Sequence, residues 1–289
     1  MLISTHSQTI IRYLVGTYTK SNSIFGPLWR AVPMNATTQQ VLGLERSEQR
    51  AYLENLWHFN HESQPAATAN DTDLYGSSHG IGVRRPFNQL PCTVASRKAR
   101  ADLLAHEDPA NCRILVLGDD DLLSVELAQR GFRHVTVADC DQQLLARIRA
   151  ETSALATPPH IIAADFQVGL VWDGQADVVF LDPPYSLAGA AAFLQLATGS
   201  AAAKARVFLM INPYVIGRDF SRIIAQAVHA GFHLKQQRPA FNGYPIGWFG
   251  ATILRLAWRY LLGANSDKPT PRQLYFCSDC FEFSRDQVS

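Results

Sequence analysis

From residue 113 onward, short apolar runs alternate with amphipathic stretches of helical length. RILVLG (113–118), HVTVAD (134–139), HIIAAD (160–165), ADVVFLDPP (176–184) and ARVFLMINP (205–213) are rich in Val, Ile and Leu and close on Gly, Asp or Pro. Such runs read as strands buried on both faces. Between them, LLSVELAQRG (122–131), DQQLLARIRAET (141–152), LAGAAAFLQLATG (187–199) and RDFSRIIAQAVHAGF (218–232) carry the helical period, the first closed by Gly131. Regular alternation of this kind predicts a mostly parallel sheet covered by helices on both sides. HLKQQRPAF (233–241) and QLYFCSDCFEF (273–283) extend it toward seven strands, around an amphipathic helix at 248–263 whose Arg255 and Arg259 share one face.

Upstream the pattern changes. TTQQVLGLERSEQRAYLENLWHF (37–59) is helical in period, so residues 1–62 are expected to form a small, mainly helical region. Residues 62–86 are dense in Gly, Ser, Asn, Asp and Thr and read as a linker. The expected division is therefore 1–62, a linker at 63–86, and a Rossmann-like α/β domain over 87–289.

Composition narrows the picture. The chain has 289 residues, 47% of them hydrophobic and 18% charged, with a formal net charge of +1. That is ample for a core and predicts no strongly electrostatic partner such as bulk nucleic acid. The five cysteines (92, 112, 140, 277 and 280) form no even-numbered framework and read as reduced thiols of a cytoplasmic protein. Cys277 and Cys280 make one CxxC, which falls short of the usual four zinc ligands, so no metal is expected. The start of the chain lacks a secretory pattern, and no run reaches the length of a membrane span.

The candidate chemistry lies where the strands end, because open α/β sheets bind ligands beyond the carboxyl ends of their strands. The first strand ends in Gly118-Asp119-Asp120-Asp121, the second in Asp139, the third in Asp165, and the fourth in Asp182-Pro183-Pro184-Tyr185. Asp139 suits the ribose hydroxyls of a nucleoside and Asp165 an adenine amino group. Asp182 and an adjacent proline carbonyl can accept hydrogen bonds from a nucleophilic amine, with Tyr185 packed beside it. The DPPY sequence resembles the [DN]PP[YFW] motif of amino-group methyltransferases. Three carboxylates after the first strand would repel the carboxylate of intact S-adenosylmethionine and favour a cation. One of the three is expected to serve as a helix N-cap.

With GDDD after the first strand and DPPY after the fourth, the sequence resembles the branched-chain polyamine synthases, also called N4-bis(aminopropyl)spermidine synthases. The resemblance spans about residues 84–215. It implies a class I methyltransferase fold, a winged-helix-like N-terminal region, a homodimer, and transfer of aminopropyl from decarboxylated S-adenosylmethionine to a polyamine, releasing methylthioadenosine. It implies Asp182, Tyr185, Asp120 and Asp121 as catalytic residues. Gly118, Asp119, Asp139, Asp165, Gln89 and Pro183 would line the donor site. The chain departs from the family's upstream motif: Asn88 replaces an Asp, and Ala95-Ser96 replace Glu-Thr. Other chemistries therefore stay open. Intact S-adenosylmethionine could supply a 3-amino-3-carboxypropyl group or be cyclised, with Arg84, Arg85, Arg97 or Lys98 holding its carboxylate. An amino-group N-methyltransferase and a non-enzymatic nucleoside or polyamine sensor are the remaining readings.

Overall fold

A computed structural model describes residues 45–63, 90–246, 248–261 and 273–285. Gln89, the linker and most of the N-terminal region lie outside the described residues. The elements run α1 (Arg46–His58), α2 (Val94–Asp102), β1 (Arg113–Leu117), α3 (Leu123–Gln129), β2 (His134–Asp139), α4 (Gln142–Thr152), β3 (His160–Ala163) and β4 (Ala176–Leu181). They continue with α5 (Leu187–Ser200), β5 (Ala201–Ile211), the short α6 (Pro213–Ile216), α7 (Phe220–His229), β6 (Phe232–Ile246), α8 (Trp248–Leu261) and β7 (Leu274–Arg285).

The seven strands form one sheet in the order β3-β2-β1-β4-β5-β7-β6. β1 to β5 pair in parallel, and β7 runs antiparallel to both β5 and β6. This is the mostly parallel sheet that the strand pattern predicts, and it fits the methyltransferase-like fold that the resemblance implies. The order reverses between β1 and β4, so the carboxyl ends of β1, β2 and β4 open on one crevice. Because β6 points the same way as β5, residues 242–246 arrive at that edge too. They pair there with 274–278 of β7.

Alternation along the central strands sends side chains to two cores. Leu115, Leu117, Val179, Leu181, Val207 and Leu209 pack under α5 and α7. Ile114, Val116, Val178, Phe180, Phe208 and Met210 pack under α3 and α4. Each fully buried aliphatic side chain of this kind contributes about 1.5–3 kcal/mol.

A third cluster joins Tyr52, Leu56 and Phe59 to Ile246, Leu254, Trp258, Leu274 and Cys277. Here the helix from the N-terminal region shares a core with the last two strands and α8. The β5–β7 pairing covers residues 279–284 of β7 and does not reach Tyr275. There Asn60 pairs with its backbone: the Asn60 amide donates to the Tyr275 carbonyl (2.9 Å) and the Asn60 side-chain carbonyl accepts from the Tyr275 N–H (2.9 Å).

One element differs from the sequence expectation. α2 was hidden inside what reads as a domain-entry segment; Thr93 caps it by accepting from the Ser96 N–H at 3.0 Å. Cys277 and Cys280 do not act as a pair. Three residues apart on a strand, they face opposite sides of the sheet, Cys277 toward α1 and Cys280 toward the α3/α4 core. Among the described residues no helix is long and apolar enough to cross a membrane.

The turn after β1 depends on Gly118, whose φ is +73° and whose added Cβ would meet Phe193 at 3.3 Å. Gly118→Ala is expected to cost about 1–2 kcal/mol from the left-handed backbone alone. Chemical denaturation would read this as a lower midpoint at unchanged slope.

Candidate active site

The β1–α3 turn is built to carry charge in a fixed place. Gly118 and Leu122 both hold positive φ, +73° and +62°. Leu122 is buried and occupies the N-cap position of α3. The turn therefore folds tightly back, and its three aspartates diverge.

Asp119 turns inward. It is fully buried, its oxygens accept from the Ser124 N–H at 3.2 Å, and it accepts the Ser124 hydroxyl at 2.5 Å. The expectation that it reads the donor's ammonium is thus corrected. Its carboxylate is committed to the first turn of α3, where unpaired N–H groups and the helix dipole favour an anion.

Asp121 is also corrected from a substrate-facing catalyst to a buried anchor. Its side chain is 2% exposed. It accepts from the Arg100 guanidinium at 2.5 Å, the Cys92 thiol at 3.1 Å and the Leu123 N–H at 3.3 Å.

Asp120 differs from both. Part of its surface remains accessible, and among the described residues it makes no hydrogen bond or ion pair. Burial pushes its carboxyl well above the usual carboxylate range, and neighbouring Asp182 and Asp121 push it further against the pull of Arg100.

Arg100, which the sequence reading does not single out, organises the site. It comes from α2 and its side chain is 3% exposed. Nη1 donates to Asp121, Nη2 to Asp182 at 2.7 Å and to the Tyr244 hydroxyl at 3.0 Å, and Nε to Asn242 at 2.8 Å. Burial works against its charge, but the adjacent anions hold its pKa above the ordinary guanidinium value. Removing one partner of such a buried pair typically costs about 3–5 kcal/mol, since the other charge is left uncompensated.

Asp182 ends β4. Burial raises its carboxyl above the usual range; Arg100 pulls it down, Asp121 pushes it up, and the Tyr244 hydroxyl pulls it down. Tyr244 donates to it at 3.2 Å and exchanges a hydrogen bond with Ser278 at 3.1 Å. Tyr185 donates to Tyr244 at 3.1 Å, their rings edge to face. Pro183 is buried, and the Pro184 carbonyl is taken by the Ser186 N–H at 2.7 Å. Among the described residues nothing donates to the Pro183 carbonyl, which leaves it available to a ligand.

Asp139 ends β2 beside the same turn. It is buried, accepts from the N–H groups of Asp119 (3.2 Å) and Asp141 (2.7 Å), and has its pKa raised by burial. Asp165 stands apart on the surface after β3 and accepts from the Gln167 N–H at 2.9 Å. The structure therefore gathers Gly118, Asp120, Asp121, Asp182 and Tyr185 in one place, with Asp139 adjoining and Asp165 at the rim.

The missed residues are Arg100, Asn242, Tyr244 and Ser278. Their signal was weak. Arg100 sits in a run of basic residues that reads as a solvated face, and the other three belong to the last two strands, far from any motif. One hint existed: five carboxylates converging on one edge need a cation, and the basic run after Thr93 is near in sequence.

Two solved structures resemble the chain in fold. The branched-chain polyamine synthase from Thermus thermophilus, in complex with N4-aminopropylspermidine and 5'-methylthioadenosine, is 22% identical, with a TM-score of 0.57 over 71% of this chain and 60% of that one. The C9 mutein of that enzyme, with the same two ligands, is 19% identical, with a TM-score of 0.57 over 86% of this chain and 67% of that one. This chain thus spans about 60% of the length of the first of them. No curated protein matches the chain. The family model that matches, over residues 83–213, is that of the branched-chain polyamine synthase A C-terminal domain.

Proposed function

We propose that the protein is an aminopropyltransferase, moving the aminopropyl group of decarboxylated S-adenosylmethionine to an amine of a polyamine and releasing 5'-methylthioadenosine. One observation carries the reading: Asp120 is a carboxyl group without a hydrogen-bond or ion-pair partner among the described residues, in a crevice whose buried cation is already spent. A cationic chain relieves that crowding, whereas a second carboxylate would add to it.

The same fact speaks to the donor. Intact S-adenosylmethionine brings a carboxylate that needs a positive partner. Arg100 has each of its three nitrogens engaged. Arg97 lies 3.7 Å from Glu126 and donates to the Asp121 carbonyl at 3.3 Å. Lys98 is exposed, and Arg84 and Arg85 lie outside the described residues. Among the described candidates none is free and buried beside Asp120, which favours the decarboxylated donor.

In this reading Asp139 and Asp165 hold the nucleoside, with Gln89 closing the site from the upstream segment. Asp120 holds an ammonium of the donor arm or of the acceptor. Asp182 and the Pro183 carbonyl receive the acceptor amine, and Tyr185 packs beside it. The amine lone pair attacks the aminopropyl carbon attached to sulfur. A C–N bond forms as the C–S bond breaks, its electron pair stays on sulfur, and the sulfonium becomes a thioether. The new ammonium passes its proton to Asp182 or to water. Alignment supplies much of the rate, because the leaving group is already activated.

Incubation with spermidine and decarboxylated S-adenosylmethionine should yield methylthioadenosine and an aminopropylated product by mass spectrometry. Intact S-adenosylmethionine should be inert; carboxypropyl or methyl products from it would overturn the reading. Asp120→Asn should weaken binding of the cationic ligand by about 10–100-fold, the worth of one charged hydrogen bond.

Because Asp120 has a raised pKa, cation binding should expel a proton. Spermidine affinity should therefore rise with pH through the range in which free Asp120 loses its proton, by up to about tenfold per unit for one proton released. Calorimetry in buffers of different ionisation enthalpy measures that proton directly.

A further inference from the structure

The Asp182 carboxylate is asymmetrically loaded. Its Oδ2 receives Arg100 Nη2 at 2.7 Å and the Tyr244 hydroxyl at 3.2 Å, while Oδ1 has only the same hydroxyl at 3.5 Å. The side chain is 14% exposed, and of its two oxygens Oδ1 is the less engaged. The donors are themselves held. Asn242 fixes the Arg100 fork at Nε and is anchored to the Ser278 hydroxyl at 2.9 Å and to the Met210 sulfur at 3.3 Å. Ser278 and Tyr185 fix the Tyr244 hydroxyl, each at 3.1 Å. A single serine hydroxyl thus ties both donors to β7.

We propose that Arg100 and Tyr244 are positioning residues for Asp182. A guanidinium from α2 and a phenol from β6 grip one carboxylate oxygen and present the other to the acceptor, which makes the β6–β7 hairpin part of the active site. Only the identity of the acceptor rests on the aminopropyl reading. Asn242, Tyr244 and Ser278 lie beyond residues 83–213, so the matched family segment does not contain this half of the device.

Two features favour positioning over simple neutralisation. A point charge would neutralise Asp121 and Asp182 equally well, but only a planar fork reaches both carboxylates and Asn242 at once. Tyr244 carries no charge and still lies on Asp182. The groups facing Asp182 are Arg100 and Cys92 from the α2 side, Asp120 and Asp121 from the β1 turn, Tyr244 from β6, and Tyr185 from its own turn. Of these, Arg100 and Tyr244 stabilise its ionised form, so removing either raises the pH at which it loses its proton.

The test follows the Asp182 carboxyl by carbon-13 NMR, assigned by its loss in Asp182→Asn, in wild type, Arg100→Gln and Tyr244→Phe. The Asp182 titration should move upward by about 1–3 pH units in Arg100→Gln, the usual reach of an adjacent opposite charge. It should move upward by less in Tyr244→Phe. The rising acid limb of kcat should follow in both, with methylthioadenosine affinity unchanged.

An Asp182 titration unmoved in folded variants overturns the proposal, even where activity falls, because lost activity alone would reflect structure. If Arg100→Gln does not fold, Tyr244→Phe decides alone. A wild-type protein that makes no methylthioadenosine sinks the aminopropyl reading, while the carboxyl titration still decides whether Arg100 and Tyr244 hold Asp182.

Discussion

A guanidinium with 3% of its side chain exposed sits between two carboxylates delivered by different strands, and the surrounding architecture answers to it. β1 and β4 are hydrogen-bonded neighbours, so whatever follows each of them meets at one edge. When both end in aspartate, the two anions cannot stay ionised side by side without a cation or a proton. Arg100 supplies the cation. Burying it has its own cost, which is met only if every donor finds an acceptor. That requirement explains why α2 must dock against the sheet and why β6 and β7 bring Asn242, Tyr244 and Ser278 to the same place.

The consequence is a division of labour among carboxylates that look alike in sequence. Asp119 and Asp121 are consumed by the fold, one by the entry of α3 and one by Arg100. Asp182 is shared, with one oxygen held. Asp120 alone is unspent among the described residues. An acidic run of three therefore presents far less charge to a ligand than its composition suggests, and what it presents is directional. In the proposed function this crevice would discriminate by sign, favouring an ammonium over a carboxylate.

The architecture was largely legible in the sequence because it rests on periodicity. RILVLG, HVTVAD and ADVVFL alternate between two cores, and helices of matching length separate them, so the parallel sheet follows from pattern alone. The convergence of Asp182-Pro-Pro-Tyr and the aspartates after β1 was legible because strand ends meet at one edge in such sheets. What was not legible was which aspartate does what. Asp119, Asp120 and Asp121 differ only through the two positive φ angles of their turn and the partners that α2 and β6 bring. Arg100 was invisible for a related reason. A basic residue among basic residues reads as solvated, and only tertiary packing shows one of them turned inward. Tyr244 and Ser278 were further still, since their role comes from pairing β6 with β7.

These features also bear on how stability and function are shared. Asp120, Asp139 and Asp182 all have carboxyls raised by burial, so each is an electrostatic load on the folded state at neutral pH. Evolution of a core for stability alone would replace such groups, because a well-packed apolar isostere is often no worse than a buried charge. Their retention at one edge makes sense if a cationic ligand removes the load. Binding then returns free energy to the fold in proportion to ligand excess over its dissociation constant. The strain is local because Arg100 and the Asn242–Ser278 pair hold the frame rigid around it. Without that frame the carboxylates could move apart or protonate in place. The crevice would then lose the fixed arrangement of carboxyl groups on which the proposed cation binding depends.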